Sequence, residues 1–205
     1  LVQAGDLDRA DEALRKGADQ VTRASQVIQR LRLFVKKADA PRGVEDIGQS
    51  IEEAAALALL GTEESGVRLK MELAADVPSV FIDKVQIQQV LLNLIRNAVE
   101  AMHDSPRREL TIRTALAADG SIWISVADTG PGLACDVRER LFQPFVTTKP
   151  SGMGVGLSIC HGIVQAHGGR MWYTDHPAGG AAFHFSLPVA PQTGEPRRVV
   201  EATRA

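Results

Sequence analysis

Two asparagines stand one helical turn apart in the segment Gln89–Met102, at Asn93 and Asn97. Leu94 and Ala98 fall on an apolar face of the same predicted helix, so the two amides belong to a separate polar face. Two amide oxygens at this spacing suit a hydrated Mg²⁺ ion, which takes few protein ligands and keeps waters and substrate phosphates. The alternative is that both amides face solvent on an ordinary amphipathic helix.

A second candidate lies where an apolar strand ends in a glycine-punctuated turn, in the segment Asp128–Leu133. A carboxylate at the end of a buried strand needs a hydrogen-bond donor, and the exocyclic amine of a purine is one such donor. Gly130 and Gly132 leave room for a planar ring against the backbone. The alternative is an ordinary strand-to-turn signal.

A third candidate is a glycine run that leads into a predicted helix, with Gly152, Gly154 and Gly156 at alternate positions. This spacing can offer successive backbone N–H groups and a helix N-terminus to phosphate oxygens, and the nearby Lys149 can supply a cation. The run matches neither a dinucleotide fingerprint nor a Walker loop, because no strand leads directly into it and no Lys-Ser/Thr follows. The alternative is a loop that is merely flexible.

The elements that must position these segments are predicted from hydrophobic periodicity. Helices are predicted at 45–60, 84–103 and 155–167, and strands at 67–73, 79–83, 109–116, 121–128, 170–174 and 182–189. The strands at 109–116 and 121–128 indicate a hairpin. A hairpin among clustered strands and interposed helices favours an α+β fold over a doubly wound parallel sheet. We therefore expect a two-layer α/β sandwich, with a mixed sheet and helices on one face.

The chain is predicted to have four parts. Residues 1–40 form a helical segment with one long helix at 8–38, whose broad apolar stripe favours a helical bundle. Residues 41–45 form a linker, residues 46–190 a globular domain and residues 191–205 a disordered tail. The start at Leu1, without an initiator Met, indicates a fragment of a longer protein.

Composition excludes several classes of protein. The 23 Lys and Arg against 25 Asp and Glu give a formal net charge of −2, so no basic excess supports a nucleic-acid partner. No apolar run approaches the roughly 20 residues of a membrane span, and the acidic start does not resemble a signal peptide. Cys135 and Cys160 are isolated, which indicates free thiols and a cytoplasmic location; membrane attachment of the longer protein stays open.

Taken together, the three segments resemble the ATP-binding domain of histidine kinases, part of the Bergerat-type group shared with gyrase. NLIRNAVEA is similar to the N box of that family, DTGPGL to its G1 box, LFQPFVTTK to its F box and GMGVGLSIC to its G2 box. The upstream VTRASQVIQRLRLFVKK resembles the second helix of the dimerisation and phosphoacceptor hairpin, especially in FixL-like oxygen-sensor kinases. The resemblance implies a Bergerat fold at 46–190 and the C-terminal part of that hairpin at 1–40.

The resemblance also implies roles for the matching positions. Asn97 would coordinate Mg²⁺ with support from Asn93, and Asp128 would accept a hydrogen bond from the adenine amine. Gly130 and Gly132 would shape the base pocket. A mobile loop at the phosphates would be formed by Gly152, Gly154 and Gly156, with Leu157 packing below it and Phe142 and Phe145 anchoring it. Thr148 and Lys149 would touch the phosphates.

The implied function is that of the catalytic core of a two-component sensor histidine kinase, with ATP and Mg²⁺ as cofactors. Catalysis would rest on positioning and charge neutralisation. The γ-phosphate would pass to a histidine of the hairpin and then to an aspartate of a response-regulator receiver domain. The longer chain would form a homodimer through the hairpin.

Two departures from the family pattern affect these expectations. The phosphoacceptor histidine is absent, because the five histidines lie at 103, 161, 167, 176 and 184, so this chain alone is not expected to autophosphorylate. Gyrase-type relatives place a water-activating Glu one turn before the metal Asn, where this chain has Asn93, so efficient ATP hydrolysis is not expected. The alternatives are a Bergerat-type ATPase clamp and a degenerate nucleotide-binding scaffold.

Overall fold

The computed structural model describes residues 41–60, 65–147, 149, 153–177 and 179–191. The predicted helical segment at 1–40, the predicted tail from residue 192 onward and two predicted site residues, Thr148 and Gly152, lie outside the described residues. None of the described helices is long and apolar enough to cross a membrane.

The described residues form four helices and seven strands. In chain order they are β1 (Gly43–Glu45), α1 (Ile47–Leu59), β2 (Arg68–Glu72), β3 (Val80–Ile82), α2 (Lys84–Ala101), β4 (Glu109–Leu116), β5 (Ser121–Asp128), α3 (Cys135–Arg138), α4 (Gly156–Ala166), β6 (Met171–Asp175) and β7 (Ala181–Pro188). Every helix and strand predicted between residues 45 and 189 is present, whereas the helix predicted at 8–38 lies outside the described residues. The short helix α3 lies in a stretch that the sequence predicts to be loop.

Five of the strands form one mixed sheet in the order β2-β4-β5-β7-β6. β2 runs parallel to β4, whereas the other neighbours are antiparallel and β4–β5 is the predicted hairpin. The remaining strands, β1 and β3, form a small antiparallel sheet in which Val44 lies opposite Phe81. Residues 43–45, assigned to the linker from the sequence, therefore form a strand, which is too short to show an alternating pattern.

The core lies on one face of the five-stranded sheet. In β5, Ile122, Ile124 and Val126 belong to the buried apolar cluster, whereas the residues between them do not. The same cluster contains Leu91 and Leu94 of α2 together with residues of α1 and α4. Helices therefore cover this face, and the predicted two-layer sandwich with a mixed sheet is confirmed.

The start of α2 is tied to the end of α4 by a buried histidine. Asp83 caps α2 by accepting from the Gln86 backbone N–H at 3.2 Å, and its own backbone N–H donates to His167 Nε2 at 3.0 Å. His167 Nδ1 lies 2.8 Å from the Ile163 carbonyl oxygen, so this nitrogen carries the proton. Both ring nitrogens are thus used by the neutral form, and burial lowers the pKa of His167.

Acidification is expected to destabilise the fold through His167. An unfolded histidine titrates near pH 6.5, whereas the pKa of the folded residue is lower. Below about pH 6.5, His167 becomes protonated in the unfolded chain but stays neutral in the folded chain until its lower pKa is reached. The free energy of unfolding therefore falls by up to about 1.4 kcal/mol per pH unit. Urea denaturation between about pH 7 and pH 5 measures this loss.

His167→Gln removes the titrating group and should make the pH dependence shallower than in the wild type. The matched control is His103→Gln, because the His103 side chain is 83% exposed, and this variant should keep the wild-type slope. Equal slopes in all three proteins would contradict the assignment to His167.

Candidate functional site

Three predicted site segments meet one face of α2. Positions 93, 97 and 101 follow each other at four-residue spacing and therefore lie in one row along the helix. Asn93 contacts Gly156 at the start of α4, and Ala101 contacts Gly130 after β5. Between them, Asn97 contacts Lys149. We call this row the α2 polar row: it consists of the Asn93 and Asn97 side chains and the backbone carbonyl of Ala101. The α2 polar row brings three segments that are separate in the sequence together.

Asn93 is enclosed by the first turns of α4. Its Nδ2 donates to Cys160 Sγ at 3.2 Å, and a Cβ added to Gly156 would lie 2.7 Å from Asn93 Oδ1. A side chain at residue 156 would therefore force the Asn93 amide to move. Burial raises the pKa of Cys160 to about 12, and the sulfur next to Asn93 is therefore a neutral thiol at physiological pH.

Asn97 binds a cationic side chain of the protein itself. Lys149 Nζ donates to Asn97 Oδ1 at 3.0 Å and forms an ion pair with Glu100 Oε2. Asn97 and Glu100 are three residues apart, so they share a face of α2. Sequence analysis gave no role to Glu100, although its spacing from Asn97 was a signal that could have identified it.

Asp128, at the end of β5, uses one of its two carboxylate oxygens in hydrogen bonds to the backbone. The residue is 3% exposed, and its Oδ1 accepts from the backbone N–H of Gly130 at 2.8 Å and of Ala181 at 3.3 Å. Burial raises the pKa of Asp128, against the opposing effect of these two hydrogen bonds. Among the described residues both hydrogen bonds go to Oδ1, which leaves Oδ2 for a further donor.

The glycines around Asp128 form a tight cradle. A Cβ at Gly130 would lie 3.0 Å from the Ala101 carbonyl oxygen, and one at Gly132 would lie 3.1 Å from the Gly180 carbonyl oxygen. Gly180 has a φ of 97°, and a Cβ there would lie 2.1 Å from the Asp128 carbonyl oxygen. Sequence analysis did not place Gly180 in the site; the Gly179–Gly180 pair just before β7 was the available signal.

The two phenylalanines before Lys149 differ in packing. Phe142 packs against the core cluster and stacks on His161 with ring centroids 5.1 Å apart. Phe145 has a φ of 67° and is 80% exposed; the loop that it is expected to anchor includes residues outside the described ranges, so that role stays a prediction. Its peptide to Val146 packs so closely on Gly154 that a Cβ there would lie 2.6 Å away, which fixes the backbone but leaves the ring in solvent. Leu157 packs against the core cluster.

A comparison with protein families identifies the family to which the chain belongs. The model of one family, described as histidine kinase-, DNA gyrase B-, and HSP90-like ATPase, matches residues 82–191, which is more than half of the chain. The matched range contains α2, the turn after β5 and the glycine run before α4. The chain therefore belongs to this family of ATPases.

The curated relatives of this chain within the family are sensor proteins. The chain is 50% identical over 182 residues to the sensor protein FixL of Bradyrhizobium diazoefficiens, a match that covers 89% of this chain and 36% of that protein. It is 40% identical over 187 residues to the C4-dicarboxylate transport sensor protein DctS of Rhodobacter capsulatus, covering 90% of this chain and 28% of that protein. The chain thus spans about a third of the length of the curated relatives that it matches.

Solved structures show the same fold. Full-length ShkA in complex with AMPPNP superposes with a TM-score of 0.74 at 26% identity, over 94% of this chain and 40% of that one. The catalytic domain of the histidine kinase ThkA superposes with a TM-score of 0.65 at 30% identity, over 73% of this chain and 99% of that one. Within the ATPase family, the described unit is thus a catalytic domain of the sensor histidine kinase type.

Gly156→Ala is expected to lower the free energy of unfolding by about 1–3 kcal/mol, because the new methyl group would overlap Asn93. Gly162→Ala is the matched control in the same helix, since a Cβ there meets nothing within 4 Å. The control should gain about 0.5–1 kcal/mol, as expected for an exposed helical glycine. Chemical denaturation of both variants measures the difference, and a stabilised Gly156→Ala protein would contradict the close packing.

Proposed function

We propose that this chain binds Mg-ATP and transfers its γ-phosphate to a histidine on the helical hairpin of the longer protein, for relay to an aspartate of a response-regulator receiver domain. The observation that carries the proposal is the α2 polar row. Asn97 of this row is an amide suited to a metal ion, and it contacts Lys149, which is suited to phosphates. The end of the row contacts Gly130, in the loop that follows the buried Asp128.

The buried aspartate suits adenine. Asp128 Oδ1 is held by two backbone N–H groups, so its position is fixed before any ligand arrives. Oδ2 then accepts from the amino group at C6 of adenine. Guanine carries a carbonyl oxygen at that position, which would face the carboxylate without a donor, so the site selects adenine. The glycines at 130 and 132 let the ring approach the backbone.

The residues of the α2 polar row fit a divalent cation. Amide oxygens are hard ligands of the kind that Mg²⁺ takes, together with waters and phosphates. The ammonium of Lys149, held at Asn97 Oδ1, supports the fit, because a cation is already accommodated there. Asn97 would hold the ion, with support from Asn93, and when bound Mg²⁺ would neutralise phosphate charge and orient the γ-phosphate for transfer.

The start of α4 suits the triphosphate. α4 has 11 residues and begins at Gly156, so its first backbone N–H groups lack partners within the helix and attract anions. The N–H groups near Gly154 and Gly156, together with the Lys149 ammonium, would bind phosphate oxygens, and Leu157 packs below them. Gly152 and Thr148 stay predictions for the same role.

The chemistry around Asn93 supports transfer rather than hydrolysis. In transfer, the imidazole nitrogen attacks the γ-phosphorus, a P–N bond forms, the P–O bond to ADP breaks and ADP leaves. Hydrolysis needs a base to take a proton from water, and the Asn93 amide cannot serve as that base. This favours a kinase over an ATPase clamp. Homodimer formation through the hairpin and a cytoplasmic location belong to the same proposal for the longer protein.

Asp128→Asn tests the adenine site. The amide oxygen still accepts from the backbone, but its NH₂ group cannot accept from adenine, so the affinity for Mg-ATP should fall about 10- to 100-fold. Thermal stability should be unchanged or higher, because the buried charge is removed. Asp119→Asn, in the exposed β4–β5 turn, should bind Mg-ATP as the wild type does. Calorimetric titration measures the three affinities, and no Mg-dependent ATP binding by the wild type would indicate a degenerate scaffold.

Phosphotransfer tests the activity. A longer chain that includes the hairpin histidine, incubated with Mg²⁺ and γ-labelled ATP, should acquire an acid-labile phosphoryl group, and Asn97→Ala should reduce this labelling at least about 100-fold. Inorganic phosphate should accumulate only slowly. Rapid phosphate release without protein labelling would support the ATPase clamp instead.

A further inference from the structure

Lys149 binds two acceptor groups near the C-terminal end of α2. Its ammonium donates to Asn97 Oδ1 at 3.0 Å and pairs with Glu100 Oε2. Lys149 lies 52 positions from Asn97 along the chain, so the contact is a product of the fold and not of local sequence. The lysine that the proposed function assigns to the phosphates therefore rests on the oxygen that it assigns to the metal ion.

An ammonium and a divalent cation compete for this position. A metal ion at Asn97 Oδ1 would lie within a few ångströms of the lysine nitrogen, and like charges at that separation repel each other strongly where protein partly replaces water. The Lys149 and Glu100 side chains are 40% and 58% exposed. An exposed ion pair of this kind adds little to stability, so the lysine can leave without loss of the fold.

We propose that Lys149 is an internal substitute for the divalent cation, holding Asn97 and Glu100 in the nucleotide-free protein and giving way when the metal ion arrives with ATP. The inference rests on the proposed function. Metal without nucleotide must displace Lys149 and leave the ammonium unpaired. Metal with nucleotide brings phosphate oxygens that pair with the displaced ammonium. The two ligands therefore bind cooperatively, and the site takes the metal–nucleotide complex in preference to the free ion.

Binding of Mn²⁺ to the nucleotide-free protein tests the competition. Mn²⁺ replaces Mg²⁺ as a paramagnetic probe, and electron paramagnetic resonance measures its free fraction. Lys149→Met removes the competitor and should tighten Mn²⁺ binding at least about fivefold. Lys70→Met is the charge-matched control, because Lys70 also pairs with a glutamate, Glu72, and its removal makes the same change in net charge. The control should bind Mn²⁺ as the wild type does.

A double variant assigns the gain to this site. Asn97→Ala combined with Lys149→Met should bind Mn²⁺ no more tightly than the wild type, because the oxygen that Lys149→Met sets free is then missing. Equal Mn²⁺ affinities of the Lys149→Met and Lys70→Met proteins, or a gain that persists without Asn97, would overturn the inference. The measurement contains no nucleotide, so its failure is distinct from a failure of the wild type to bind Mg-ATP, which would overturn the proposed function.

Discussion

The site depends on the four-residue spacing of one face of α2. Positions 93, 97 and 101 cover about 12 Å of helix at about 1.5 Å per residue, and each contacts a segment far away in the sequence. A helix is stiff along its axis, so the three segments keep fixed distances from one another. The helix itself is held by its buried apolar face and by the Asp83 cap, which His167 connects to α4.

Two parts of this site differ in how deeply they are buried. Asp128 is buried and held by backbone N–H groups from two segments, so the position of its carboxylate is set by strands β5 and β7. Burial raises its pKa, and the ionised carboxylate therefore costs folding free energy in return for a preorganised acceptor. Lys149 is exposed and paired with exposed Glu100, so it can exchange partners. Under the proposed function, the buried carboxylate recognises the base and the exposed ion pair exchanges partners.

Local patterns predicted most of the fold, whereas contacts between distant segments were not predictable. Strands β4 and β5 have eight residues each, which is long enough for a strand pattern to be recognised in the sequence. Strand β1 has only three residues and depends on its pairing with β3. The residue types of the site at Asn93, Asn97 and Asp128 follow from motifs. The contact between Gly180 and Asp128 and the pairing of Lys149 with Glu100 are set by tertiary packing, so sequence analysis missed both.

The packing around Asn93 adds an argument about the reaction that goes beyond residue type. Its Nδ2 donates to the neutral Cys160 thiol and its Oδ1 lies against Gly156, so the amide is used to join α2 to α4. A carboxylate at this position could not donate to the sulfur. It would also place a negative charge at the start of α4, where the proposed function requires phosphate oxygens to bind. The position that the resemblance assigns to a water-activating Glu in gyrase-type relatives is here an amide that joins α2 to α4. Under the proposed function, this amide removes the base for hydrolysis and leaves the start of α4 without a competing negative charge.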